Sequence, residues 1–383
     1  MENEVEKDIK KRIQKGIIRW GVPFLVLAIF AVFLWKLNSG EKTQLVSRVG
    51  NSFEKAEVTE ILQDNLQYDG TRVGQQLIKV RLLTGEKKGE EIETTSASGY
   101  LFGAACTEGM RVIVMQSVAG DSVILSVYAQ DREYVIYAFA ALYLLALCLV
   151  GGKQGAKGAL GLSFTVLCIL FVYLPMIYQG YSLFWTAVFI CIITTLVTMY
   201  LIGGPTKKTA VAVLGTTAGV IIAGISATLF SYASGISGWN VSDIESLLTL
   251  WETREIHVGG LLFAGLLISS LGATMDVAMS IGSAISEIYK QNPSISRKEL
   301  FWAGMHVGRD MMGTDSNTLI LAFVGSSTSM LLLDYAYDLP YQQIINSNNI
   351  GIAIMQGLSG SLGIVLCVPA TVVLAVFLYT YKK

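Results

Sequence analysis

Eight apolar stretches, each close to the length that crosses a bilayer, run through this 383-residue chain. A helix needs roughly 20 predominantly apolar residues to traverse about 30 Å of hydrocarbon. The stretches lie at about 17–36, 134–152, 158–176, 182–202, 209–233, 257–280, 313–333 and 358–381. The sixth stays apolar to about residue 288 and the eighth starts as early as residue 350, so both predict tilt, a break or an interfacial extension. Charged residues make up 15% of the chain. That is short of the roughly 25% found in soluble domains, too little to cover a water-facing surface. The pattern predicts an all-α polytopic membrane bundle of about eight transmembrane helices, with the lipid bilayer as its principal partner.

The basic residues give the orientation. Lys7, Lys10, Lys11, Arg12, Lys15 and Arg19 precede the first stretch and are expected to stay in the cytoplasm. Eight spans then place Lys153/Lys157, Lys207/Lys208, Lys290/Arg297/Lys298 and Lys382/Lys383 on the same side. The short loops on the other side hold Arg254 among Asp243, Glu245, Glu252, Glu255, Asp334 and Asp338. Both termini are therefore expected inside. The first stretch ends Leu34-Trp35-Lys36 without a small-x-small cleavage site, which reads as a retained anchor at 17–36 behind a cytoplasmic segment at 1–16.

Residues 38–132 break the pattern, with 10 basic and 13 acidic residues. Alternating runs at 56–63, 75–83, 90–95, 110–116 and 122–128, punctuated by Gly85, Gly89, Gly109 and Gly120, predict a small extracytoplasmic β-rich domain, a barrel or a sandwich. Such an insert binds a partner or gates access more readily than it performs chemistry. Residues 133–383 then form a seven-helix membrane domain.

Several function classes fall away. The net charge of −1 supplies no basic field to draw nucleic acid. Cys106, Cys148, Cys168, Cys191 and Cys367 show no C-x-x-C spacing, so no metal site is expected of the thiols, and no cofactor is implied. No H-E-x-x-H, G-x-S-x-G or Walker pattern occurs. Gly357-Leu358-Ser359-Gly360 matches the G-x-S-G of intramembrane rhomboid proteases, but those place a histidine in a later span and none follows His306. Close helix packing explains the glycines and serine better, and no enzyme is expected. Gly151-Gly152-Lys153 with Leu160-Gly161 echoes Gly203-Gly204 with Lys207 and Leu214-Gly215, a turn pattern common at membrane exits.

The polar residues inside the spans concentrate between 265 and 317. Gly265, Ser269, Gly272, Asp276, Ser280, Ser283 and Glu287 recur at intervals of three and four, one face of a helix. Ser296-Arg297-Lys298-Glu299 reads as a capping box behind Pro293 and starts a helix near Arg297. On that helix His306, Asp310, Gly313 and Asn317 repeat the stripe, flanked by Arg309 and Asp315. The two faces are expected to meet, with Arg309 or His306 opposing Asp276, Asp310 or Glu287. Asp276 falls late in its stretch, toward the inner interface, where it serves either structural pairing or ion coupling. His306 fits a hydrogen-bonded packing role, His257 an interfacial one, and the glycines packing rather than hinges.

Linked motifs carry a resemblance. Leu271 to Ile281 reads LGATMDVAMSI, Gly304 to Gly313 reads GMHVGRDMMG, and Thr314, Asn317-Thr318-Leu319-Ile320-Leu321-Ala322, Gly360-Ser361-Leu362-Gly363 and Pro369 follow. On these residues the chain resembles the YibE/F family of bacterial multipass membrane proteins over roughly 130–383. The family pattern has asparagine where His306 stands, an apolar residue where Asp315 stands, and Glu or Asp near Gln356. Asp276, Arg309, Asp310 and Asn317 carry over; His306 and Asp315 depart. The resemblance implies a cell-membrane location and pairing with a second family member, and it supplies no activity; a homo-oligomer is the other partner arrangement expected. The residues favour a transporter or channel for a small solute or ion, with Asp276, Glu287, Arg309, Asp310 and Asn317 as the polar pathway or helix coupling. The alternative is a membrane scaffold or sensor whose β-domain binds a partner or ligand.

Overall fold

The computed structural model describes residues 30–40, 51–99, 102–119, 122–241, 244–245, 247–248 and 258–380. The N-terminal basic segment, most of the first apolar stretch, Asp243, Glu252, Arg254, Glu255, His257 and Lys382/Lys383 lie outside the described residues. Two compact units emerge, one spanning Glu41–Ala146 and the other Met1–Gly40 with Leu147–Lys383.

The first unit is built on five strands: β1 (Asn51–Gln63), β2 (Gln76–Leu82), β3 (Glu91–Ser96), β4 (Arg111–Ala119) and β5 (Ser122–Gln130). They close in the order β1-β2-β3-β5-β4, antiparallel throughout except for the parallel β3–β5 pair. Both the predicted strands and the barrel alternative hold, and the strand order is that of the five-stranded OB-type Greek-key barrel. Alternation puts Ala56, Val58, Ile78, Val80, Val112, Val114 and Val127 inside. β1 is long enough to pair with both neighbours, β4 through Asn51–Glu57 and β2 through Ala56–Gln63, and bulges near Val58 and Ile61 let it curl. The buried Gln76 amide serves as a polar cross-link, accepting from the Cys106 N–H (2.7 Å) and donating to Asp64 Oδ1 (2.8 Å). That bond, reinforced by Arg72, holds the Asp64 carboxyl below its usual range. After β5 the chain enters α1 (Glu133–Cys168), whose first residue forms an ion pair with Lys55 of β1.

In the second unit α1 continues through a π turn (Ile169–Tyr173) into α2 (Leu174–Tyr178). Then come α3 (Leu183–Gly203), α4 (Lys207–Ser234), α5 (Leu261–Gln291), α6 (Arg297–Ser326), α7 (Thr328–Ala336), α8 (Tyr341–Ile345) and α9 (Asn348–Thr380). Five described stretches are long and apolar enough to cross a bilayer: Glu133–Tyr178, α3, α4, α5 and α9. The α6–α7 pair, bent by 57°, makes a sixth if taken as one span. The helix start expected near Arg297 holds, with the Ser296–Glu299 capping box formed in both directions. The stretch expected as a span at 313–333 falls on α6 and α7, on both sides of their bend. One helix runs from that cap to Ser326 and bends where the predicted stretch would have continued straight.

Within α1, Gly152 is non-helical at φ 54°, ψ −134°. A Cβ on Gly155 would strike the Leu147 carbonyl oxygen. Residues eight apart stand about 12 Å apart along a straight helix, so the chain folds sharply on itself here. Glycine tolerates that φ at no steric cost.

α9 is the centre of the bundle and packs on α4, α5 and α6. Its seam with α4 is made of small residues. A Cβ on Gly363 would lie 2.7 Å from Ala223 Cβ and 2.8 Å from the Gly219 carbonyl oxygen, and one on Gly219 would lie 2.9 Å from Cys367 Cβ. Backbones can approach this closely only where side chains are missing. Polar groups in the seam are satisfied locally, with the Cys367 thiol donating to the Gly215 carbonyl at 3.3 Å and Thr274 Oγ1 to the Ser270 carbonyl at 2.9 Å. At the end of α9, Lys207 Nζ donates to the Leu378 carbonyl at 2.9 Å and Arg297 to that of Thr380 at 3.4 Å. These cations sit at the negative end of the helix dipole. At another place Asn38 Nδ2 donates to the Phe171 carbonyl and Gln179 Nε2 to that of Leu37, both at 2.9 Å.

The seam makes a paired prediction. Gly363→Ala overpacks the α4–α9 contact, and thermal unfolding in detergent should show a loss of about 1–3 kcal/mol. Gly265→Ala meets nothing within 4 Å and should leave the melting temperature unchanged or raised. Equal effects would contradict the packing described.

Candidate functional site

α5 and α6 form an antiparallel hairpin whose inner contact fixes their register. A Cβ on Gly304 would lie 2.7 Å from Ile285 Cδ1, and one on Gly308 would lie 3.2 Å from Ile281 Cδ1 and against Val368. Carrying that spacing along both helices sets Ser283 roughly level with His306, Asp276 with Gly313, and Gly272 with Asn317. The two stripes read from the sequence are thus in step.

Among the described residues both stripes lie on the outside of the helical unit. On α5, Gly265, Ser269, Gly272, Asp276 and Glu287 are exposed, and Ser280 and Ser283 are half-buried. The opposite face, with Leu267, Thr274, Val277, Ala278, Ile281 and Ile285, is buried in the bundle. On α6, His306, Arg309, Asp310, Gly313 and Asn317 are exposed, while Gly304 and Gly308 are buried. Around Gly265, Gly272 and Gly313 nothing comes within 4 Å of where a Cβ would stand. The serines close their own bonds, Ser269 to the Leu266 carbonyl (3.0 Å) and Ser283 to that of Met279 (2.7 Å).

The expected charge pairing takes a different form. Glu287 pairs with Lys290 at 3.5 Å along its own helix, and both side chains are exposed, a contact worth little in water. Arg309 stacks over Trp302, its guanidinium carbon 5.6 Å from the ring centroid. Among the described residues, Arg309, His306, Asp276 and Asp310 form no ion pair. Trp302 precedes Arg309 by two helical turns, which lets the long side chain lie back along the helix surface toward the ring.

Asp315 is the residue that sequence reasoning underrated. Asp315 Oδ2 and the neighbouring Ser316 Oγ are buried without a hydrogen-bond partner, while the Ser316 carbonyl accepts from Ser361 Oγ of α9 at 3.2 Å. The signal was present as a carboxylate five residues after Asp310, off the exposed stripe by helical angle.

α5 has 31 residues from Leu261 to Gln291, and Asp276 is its central residue. At 1.5 Å per residue it stands some 22 Å from either terminus. A carboxylate within a spanning helix costs up to about 2.5–3.5 kcal/mol on insertion scales, and such groups usually face protein or water rather than acyl chains. The arrangement offers carboxylates, an amide and a guanidinium on a small-residue surface. Among the described residues no group of three or more His, Cys, Asp or Glu is disposed to hold a metal ion.

The unpartnered carboxylate yields a second prediction. Asp315→Asn removes a charge whose Oδ2 is buried without a hydrogen-bond partner and should raise the melting temperature in detergent near neutral pH. Glu287→Gln, at an exposed pair, should change stability by no more than about 0.5 kcal/mol. A large loss from Asp315→Asn would contradict an unpartnered carboxylate at this position.

Comparison with known proteins places these residues. No curated protein and no solved structure matches the chain. A family model, described as YibE/F-like protein, matches residues 139–381. The match begins after β5 and takes in both stripes of the hairpin. Since it covers well over half of the 383 residues, the chain belongs to the YibE/F-like protein family.

Proposed function

We propose that the chain is a cell-membrane transporter or channel, moving a small solute or ion along the polar face of α5 and α6. The observation that carries the reading is the exposed set Asp276, Asp310, Arg309 and Asn317, with three open glycines beside it, in an otherwise apolar helical unit. Charges within spans mark solute or proton paths far more often than they mark lipid-facing surface. Small residues leave room for water beside them.

On this reading the helical segments make eight spans. The helix at 30–38 ends the first, and the break at Gly152 divides Glu133–Tyr178 into two. Basic residues support both termini inside. Lys207 and Arg297, from two separate turns, converge on the C-terminal carbonyls of α9. With the anchor crossing once, the barrel is extracytoplasmic.

A second reading keeps the polar face as helix coupling and makes the barrel the working part, a scaffold or sensor. It is favoured by aromatic side chains left in the open. Phe53 and Tyr128 meet edge to face at 5.3 Å, both exposed, and Phe102 is exposed as well.

Flux in proteoliposomes separates the readings. Asp276→Asn and Asp310→Asn should each lower uptake of the transported ion or solute at least tenfold while the protein remains folded. No flux for any candidate, with both variants keeping cellular function, would sink the pathway. For topology, a cysteine replacing Lys207 should resist an impermeant maleimide added outside intact cells; labelling from outside would overturn the eight-span arrangement.

A further inference from the structure

We infer that the α5–α6 face is one half of an interface with a second copy of this chain, so that the path proposed above runs between two copies. The inference rests on that reading for what the interface encloses, and on the surface alone for the interface.

The surface differs from the rest of the helical unit. Elsewhere the spanning helices expose large apolar side chains suited to lipid contact, among them Leu160, Trp185, Leu196, Ile225, Leu229 and Phe377. The α5–α6 face instead presents Asp276, Asp310, Arg309 and Asn317, polar groups that acyl chains cannot solvate. Open space at Gly272 and Gly313 means that, among the described residues, nothing packs beside them.

The charges choose the occupant. Arg309 has no carboxylate partner and Asp276 and Asp310 have no cationic one among the described residues, yet both signs lie on one face at similar depth. A two-fold axis presents the same patch to itself, and such an interface is self-complementary when it carries both signs. Turning one copy about that axis sets Arg309 of one against Asp310 or Asp276 of the other. Glycines and Ser269 on the α5 stripe let the helices come close, as small residues do in membrane dimers. A lipid surface supplies no such pairing within the hydrocarbon, and a carboxylate-rich partner would be repelled by the aspartates.

Cysteine cross-linking in native membranes tests this with the full chain. Gly265→Cys, Ser269→Cys, Gly272→Cys and Gly313→Cys are each made with the half-buried Cys148 changed to serine, and treated with copper phenanthroline or a short bismaleimide. At least one position should yield a species of twice the chain mass, reversible by reductant for the disulfide, whereas Leu160→Cys should yield none. Independently, recovery of a differently tagged co-expressed copy should fall at least tenfold for Arg309→Asp and return when Asp310→Arg is added to the same chain. No doubled species at any of the four positions in folded protein, a cross-link only to a protein of another mass, or an unchanged recovery with Arg309→Asp would overturn the inference. Doubled species without flux would leave the interface standing and remove the pathway; flux without them would do the reverse.

Discussion

The cost of a charge in hydrocarbon governs this structure. Within the bilayer every backbone polar group must be bonded internally, and every ionised side chain must find protein, water or a counter-charge. The helical unit meets the first demand through its long helices and the second unevenly. Lys207 and Arg297 rest on helix-end carbonyls, and Arg309 lies over Trp302. The aspartates on α5 and α6 find no such partner among the described residues, and Asp315 Oδ2 is buried without a hydrogen-bond partner. An arrangement that carries such a penalty makes sense as a working surface.

Glycine plays two opposite parts in producing it. At Gly219, Gly363, Gly304 and Gly308 the missing side chain lets α9 sit against α4 and α6 at distances that any Cβ would prevent. Those contacts hold α5 and α6 in register and turn their inner faces to the bundle. At Gly272 and Gly313 the missing side chain leaves space that no described residue occupies. The first set builds the scaffold, and the second leaves its outer face open.

Much of this was legible in the sequence, for local reasons. Period-two alternation located the five strands, and the Ser296–Glu299 box located the start of α6. The intervals of three and four put Asp276 and Asp310 on stripes that the structure keeps. Spacing, however, says which residues share a face and not which way that face points. In a soluble helix the apolar side marks the core, but in a bilayer apolar residues cover both the core and the lipid side, so the stripe's outward direction had no local signal. The barrel's parallel β3–β5 closure depends on pairing between strands separated by the whole of β4, and no local pattern encodes it.

The most direct measurement concerns the environment of that outward face. A nitroxide attached at Gly272 in bilayers can be compared with one at Leu160, using molecular oxygen as the lipid-soluble relaxant and a neutral nickel complex as the water-soluble one. The account predicts much weaker oxygen relaxation at Gly272 than at Leu160, together with stronger relaxation by the nickel complex. Equal oxygen accessibility at the two positions would put the polar face in lipid and contradict the account.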